Sequence, residues 1–256
     1  MIHSQAIIEP GAVIGKNVTI GPWTHIASNV VIGDNCHISS HVVINGPTKM
    51  GKNNRIFQFA SIGEDCQDLK YAGEPTELII GDNNIFRECC TIHRGTLQDN
   101  SLTQIGNNNL FMAYTHVAHD CMVGSHCIMA NNASIAGHVH VGDHVIIGGM
   151  SGVHQFCYIG AHSFIAANAL VLKDVPAYVM ASGHPAKPFG LNSEGLKRRG
   201  FASDIILSIK RAYKEIYRKK QSVDDALRAI SEQGNPSPEL DLFTHSIKES
   251  TRGIIR

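Results

Sequence analysis

Residues 1–38, MIHSQAIIEPGAVIGKNVTIGPWTHIASNVVIGDNCHI, place isoleucine at Ile2, Ile8, Ile14, Ile20, Ile26, Ile32 and Ile38. The six-residue beat continues through Ile44, Met50, Ile56 and Ile62, resumes at Ile80, Phe86 and Ile92, and runs again from Ile105 through Val117 to Val171. This period belongs neither to a helix nor to a simple alternating strand; it is the hexapeptide repeat of a parallel β-helix. Two positions before each aliphatic residue stands a small or modest apolar one, such as Ala12, Val18, Thr24 or Cys36, and a glycine often follows it, as at Gly15, Gly21 and Gly33. Both side chains point inward, and the glycine opens a tight corner. Each hexapeptide is therefore one short strand and one turn. Three make a triangular coil, so residues eighteen apart stack on one line at about 4.8 Å per coil.

With 256 residues, 43% of them hydrophobic, the chain has ample material for a core. Its N-terminus, MIHSQAIIEP, lacks a basic stretch and a long apolar run, and nowhere do eighteen apolar residues follow one another. The expectation is a cytoplasmic protein without a membrane span. Five of the seven cysteines, Cys36, Cys90, Cys121, Cys127 and Cys157, fall on the small inward position and no CxxC pair occurs, which reads as core filling. Formal charge is zero, yet nine Lys and Arg stand against two acids between Lys197 and Lys220. That stretch reads as a docking surface for an acidic partner, and the fewness of aromatic residues among its charges argues against nucleic acid.

The repeat breaks twice. Between Ile62 and Ile80 the inward positions of a further coil would be Asp68 and Glu74, charges that could not be buried unpaired, so a loop near 64–78 is extruded. A second excursion near 93–104, HRGTLQDNSLTQ, leaves the phase slipped by one. After Val171 the segment KDVPAYVMASGHPAKPFGLN reads as an irregular connection rich in proline and glycine. The expected organisation is a β-helix over 1–191 and a helical unit over 192–256. Helices are predicted near 193–199, 203–219, 223–233 and 238–249, with Ser222 and Ser237-Pro238 as starts and Ile205, Ile206, Ile209, Ala212, Tyr213 and Ile216 as one buried face.

Val117, Ile135 and Val153 stack in three successive coils, and around them lie His116, His119, Asp120, Gly137, His138, His154 and Gln155. A neutral imidazole is suited to general-base work near pH 7, and a following carboxylate can orient its ring and stabilise the imidazolium. A Gly-His pair one coil on could offer a backbone N–H to an oxyanion. The layout suits acyl transfer without a nucleophilic Ser or Cys. Zinc held through His116 and His119 is the competing reading, and a non-catalytic β-helical scaffold another. A second ladder, His126, His144 and His162, reads as a solvated ridge.

The segments QDLKYAGEPT (67–76), TIHRGT (91–96), AHDC (118–121), NNASIAGHV (131–139), GGMSGVHQFCYIGAH (148–162) and NSEGLKRRGF (192–201) together resemble the acyl carrier protein-dependent UDP-N-acetylglucosamine O-acyltransferases of lipid A biosynthesis, over essentially the whole chain. The resemblance implies a left-handed β-helix of hexapeptide repeats followed by a small α-helical unit, an exception to the right-handed crossover rule. It implies a homotrimer with active sites between subunits, no cofactor and no metal. A (R)-3-hydroxyacyl chain would pass from acyl carrier protein to the 3-hydroxyl of UDP-N-acetylglucosamine, with His119 as base, Asp120 orienting it and Gly137 donating to the oxyanion.

By the same resemblance Gln67, Asp68, Lys70, His116, His138, His154 and Gln155 would hold the sugar and phosphates. Asn192, Glu194, Arg198 and Arg199 would reach the nucleotide, since arginine pairs suit a diphosphate. Phe164 and Ala167 would close the acyl cleft. The N-acyltransferase of the same pathway is the alternative in the same class, and whether the acceptor bears a 3-hydroxyl or a 3-amino group stays open.

Overall fold

The structure, a computed structural model, describes residues 1–98, 100–233 and 236–256; Asp99, within the second excursion, lies outside the described residues. Three parallel sheets form the faces of a triangular prism, with nine, eight and ten strands. The first face runs from Ile7–Ile8 to Leu170–Val171, the second from Val13–Ile14 to Tyr158–Ile159, and the third begins at Thr19–Ile20. The six-residue beat is the core: Ile20, Ile26, Ile32, Ile38, Ile44, Ile56 and Ile62 are all fully buried, and the inward cysteines Cys36, Cys90, Cys121, Cys127 and Cys157 are buried too. No helix among the described residues is long and apolar enough to cross a membrane.

Register shows what the two breaks contribute. Val117 pairs with Ile135 and Ile135 with Val153, eighteen apart, so the expected ladders exist. Met50 instead pairs with Ile80, thirty positions on, so the first break extrudes twelve residues and keeps the phase of six. Ile80 pairs with Ile105, twenty-five on, so the second extrudes seven and slips the phase by one. Both insertions sit on the same edge of the prism, between the first and second faces.

The segment expected as an irregular connection is more ordered than its prolines suggest. Val179–Gly183 adds a parallel strand beside Phe164–Ile165, and Ala186–Leu191 returns antiparallel to it. Val179 and Ala181 point inward with period two, which outweighs the surrounding Gly and Pro. Four helices follow: α1 (Ser193–Arg198), α2 (Ser203–Tyr217), α3 (Val223–Glu232) and α4 (Pro238–Lys248). The Ser222 and Ser237 hydroxyls cap α3 and α4 as expected. In α2 Ile206, Ile209, Ala212, Tyr213 and Ile216 are buried, continuous with the coil core, whereas Ile205 is only half-buried.

Candidate active site

The His119 imidazole and the Asp120 carboxylate meet at the edge between the first and second faces, with Nδ1 2.8 Å from Oδ2. With Nδ1–H donated to the carboxylate, Nε2 is left as the basic lone pair. Asp120 is 2% exposed and its backbone is in the left-handed region, φ 56°. It is held from several sides. The Thr96 N–H donates to Oδ1 at 2.9 Å, the Thr96 hydroxyl donates to Oδ2 at 2.6 Å, and Asp120 N–H donates to the Thr103 hydroxyl at 2.8 Å. Burial alone would raise the Asp120 carboxyl, but the hydrogen bonds from His119 and Thr96 outweigh it and hold it below its ordinary value.

One coil on, the same corner carries Gly137 and His138. A Cβ on Gly137 would stand 2.5 Å from His119 Cε1 and 2.6 Å from Nε2, so only glycine lets the imidazole lie against this corner. Among the described residues the Gly137 N–H donates to no protein carbonyl. It is therefore free to serve an oxyanion. His138, its side chain 10% exposed, places Nδ1 3.9 Å from Asp120 Oδ2 and stacks on Phe156 at 4.4 Å. His119, Asp120 and His138 each offer a metal-ligand atom, all within 4.8 Å of one another. The carboxylate, however, is already committed to the Thr96 donors and to His119, which fits a hydrogen-bonded base better than an ion site.

Along the first face the outward strand positions run His116, Ser134, Gly152 and Leu170, and they floor an open pocket of about 500 Å³. His119, Gly137, His154 and Gln155 line it, and the first extruded loop brings Gln67 and Asp68 over it. Lys70, at the exposed tip, does not line it. His116 Nδ1 is tied to the Thr91 hydroxyl at 2.7 Å, and burial, with His93 and His119 nearby, brings its pKa down to about 4. It is thus a neutral hydrogen-bonding group at pH 7.

The remaining expected residues are elsewhere. Phe164, Asn192, Glu194 and Arg198 line a smaller, mainly apolar pocket of about 290 Å³ on the third face. Asn192 is buried and its amide is spent locally, capping α1 through Gly195 N–H and donating to the His162 carbonyl. Glu194 pairs with Lys197 at 2.8 Å. Arg199 turns to the edge between the second and third faces and donates to the His144 carbonyl at 2.9 Å. Ala167 is exposed at a corner and lines neither pocket.

That edge carries the second histidine ladder, solvated at His126 as its sequence suggests but not along its whole length. Asn17, Asn35, Asn53, Asn83 and Asn108 continue into His126, His144 and His162, all with left-handed φ near 60°. The imidazoles stack at 4.7 Å, the coil rise itself, and the stack ends under Tyr178 and Phe201. His126 is exposed, but His162 is covered by the joint between α1 and α2.

Sequence reasoning missed Thr96, Thr103, Arg94 and His93. Arg94, 6% exposed, bonds to the Gly63 carbonyl, Asp65 and the Tyr71 hydroxyl, tying the two insertions together. His93 lines the pocket edge-on to His116, and burial holds its pKa below the usual value. These residues lie in or beside the second break, where the repeat gives no register from which to place them.

A family described as UDP-N-acetylglucosamine O-acyltransferase, domain 2, matches residues 174–255, and bacterial transferase hexapeptide repeats match 11–46 and 102–137. The acyl-[acyl-carrier-protein]–UDP-N-acetylglucosamine O-acyltransferase of Stutzerimonas stutzeri is 52% identical, covering 100% of this chain and 99% of its own. The solved UDP-N-acetylglucosamine O-acyltransferase of Moraxella catarrhalis is 49% identical with a TM-score of 0.96, covering 100% of this chain and 99% of the other. The Arabidopsis UDP-N-acetylglucosamine acyltransferase, 37% identical, superposes over the whole of both chains with a TM-score of 0.88. With that identity along its entire length, and with His119, Asp120 and Gly137 meeting in one corner, the chain belongs to the acyl-[acyl-carrier-protein]–UDP-N-acetylglucosamine O-acyltransferase family.

Proposed function

We propose that the chain transfers a (R)-3-hydroxyacyl group from acyl carrier protein to the 3-hydroxyl of UDP-N-acetylglucosamine, the first step of lipid A assembly, as a cytoplasmic homotrimer. The observation that carries this is the His119–Asp120 pair with Gly137 stacked against the imidazole. His119 Nε2 takes the proton of the sugar hydroxyl as its oxygen attacks the thioester carbonyl. The new oxyanion accepts from Gly137 N–H, and Asp120 stabilises the imidazolium. Collapse breaks the C–S bond, and the imidazolium returns its proton to the departing thiolate. Neutral His116 and the loop residues Gln67 and Asp68 hold the sugar beside the base.

Two observations support the trimer. The residues assigned to one site are divided between the first face and the third face with its outer edge, so a single prism cannot bring them together. Setting the first face of one subunit against the third face of the next unites them, and places the Arg199 edge of one subunit opposite the His119 edge of its neighbour. In that arrangement the edge shared by the first and third faces lies on the threefold axis. That edge carries Trp23, His41, Phe59, Tyr114 and Met150 with φ between 55° and 64°. Large side chains in this region cost about 1–2 kcal/mol each, and Trp23, Phe59, Tyr114 and Met150 are each about half exposed or more. Burial on the axis gives this ridge its purpose.

The test is a coupled acyl-transfer assay offering UDP-N-acetylglucosamine and its 3-amino analogue with a series of 3-hydroxyacyl carrier proteins, to wild type and His119→Ala. O-acylated product from wild type alone is the expected result, undiminished by a zinc chelator. Product only with the amino analogue, or turnover abolished by chelation, would overturn the reading.

A further inference from the structure

The ladder that carries His119, Gly137 and Gln155 continues past the pocket. Eighteen positions beyond Gln155 stands Lys173, and eighteen beyond His154 stands Leu172. The register holds here, because Gly152 pairs with Leu170 and the His154 N–H donates to the Val171 carbonyl at 2.8 Å. Lys173, Lys187 and Arg256 rim a small cavity of about 220 Å³ whose apolar lining includes Leu172 and Ile255.

All three cations are exposed. The Arg256 guanidinium donates to the backbone carbonyls of Ile216 and Gln221, and among the described residues no Asp or Glu side chain is ion-paired to any of the three. In the stretch between Lys197 and Lys220, expected to be the docking surface, Lys197 is bound to Glu194 at 2.8 Å and Lys219 to Glu215 at 2.7 Å.

We propose that Lys173, Lys187 and Arg256 seat the phosphodiester of the carrier's pantetheine arm, an inference that rests on the acyl-transfer reading above. The thioester carbon must lie beside His119 and Gly137. Lys173 is three coil rises away, about 14 Å, a reach that a part-extended pantetheine arm covers. The arm is rich in amides, and Gln155 lies on the path between. Next to its phosphate the arm carries two methyl groups, which match the Leu172 and Ile255 lining beneath the cations. Charge-assisted bonds from lysine and arginine suit a phosphodiester held at a solvent-facing rim.

The test compares acyl donors built on phosphopantetheine and on pantetheine lacking the phosphate, with wild type and a Lys173→Gln/Lys187→Gln double variant. Wild type should prefer the phosphorylated donor in kcat/KM, and the variant should lose roughly tenfold of that preference, as expected for losing charge-assisted bonds. Carrier-linked donor should show the same loss, with the KM for UDP-N-acetylglucosamine unmoved. A preference retained in the variant would overturn the proposal. So would a raised KM for the nucleotide sugar, which would give the cluster to the diphosphate instead. Should wild type make no product with any donor, the functional reading fails separately, and calorimetric binding of phosphopantetheine to the two proteins still decides the cluster: equal affinity would sink it.

Discussion

Two edges of the prism turn on the same left-handed corner and carry histidines there or beside it, yet only one surrounds an imidazole with a carboxylate, a glycine and a pocket. At the edge between the second and third faces, His126, His144 and His162 stack ring on ring, and among the described residues no carboxylate is hydrogen-bonded to them. At the edge between the first and second faces the corner position itself is Asp120, and His119 precedes it. There the imidazole has a buried carboxylate on one nitrogen, a glycine against its ring and an open pocket beside it. The backbone is the same in both places. What sets the His119 corner apart is the carboxylate, the missing Cβ and the extruded loops that close over it.

His119→Ala should make the largest break in this comparison, lowering kcat by about 10²–10⁴-fold, the usual contribution of a general base, without lowering the melting temperature. His144→Ala, on the other edge, should leave kcat within a few-fold of wild type. Gly137→Ala comes next. Its methyl would collide with the pinned His119 ring, and a displacement of about 1 Å can cost 10²-fold, so kcat should fall by about that factor while the circular dichroism spectrum is retained. Equal losses from His119→Ala and His144→Ala would erase the distinction between the edges.

Most of the scaffold was legible from periodicity, because a hexapeptide repeat fixes which side chain points where and which residues stack. The spacing alone places Val117, Ile135 and Val153 on one line, and His119 with Gly137 follows from it. Legibility ended where the repeat did. Thr96 lies inside a seven-residue insertion, and nothing in its spacing says that both its N–H and its hydroxyl reach Asp120. The Val179–Leu191 hairpin was hidden by its prolines and glycines, although the alternation of Val179 and Ala181 was present. The covered His162 could not be read because its cover, Phe201, comes from another unit of structure.

Thr96 sharpens the comparison by a smaller step. Thr96→Val keeps the shape and the backbone donor but removes the hydroxyl bonded to Oδ2. A hydrogen bond to a charged group is worth about 1.5–3 kcal/mol, so kcat should drop about tenfold or somewhat more. The KM for UDP-N-acetylglucosamine should hold, and Thr96→Ser should restore the rate. A change in KM with kcat intact would place Thr96 at the sugar instead of behind the carboxylate.

The other edge should respond to pH through stability and not through turnover. Burial, with His144 and Arg199 nearby, brings the His162 pKa down to about 4 in the folded protein, against about 6.5 in an unfolded chain. The unfolded state therefore binds more protons between these values, so His162 costs stability as pH falls from about 6.5 to about 4, and the cost levels off below that. At 1.36 kcal/mol per pKa unit the full loss is about 3 kcal/mol. Urea unfolding of wild type and His162→Gln at pH 7 and pH 4.5 reads it directly. His93 and His116 titrate in both proteins, so the difference between the two curves isolates the stacked edge, and wild type should lose more stability on acidification by about 2 kcal/mol. Parallel curves would mean that His162 is protonated as readily in the stack as in the unfolded chain, and the two edges would then differ only in their neighbours, not in burial.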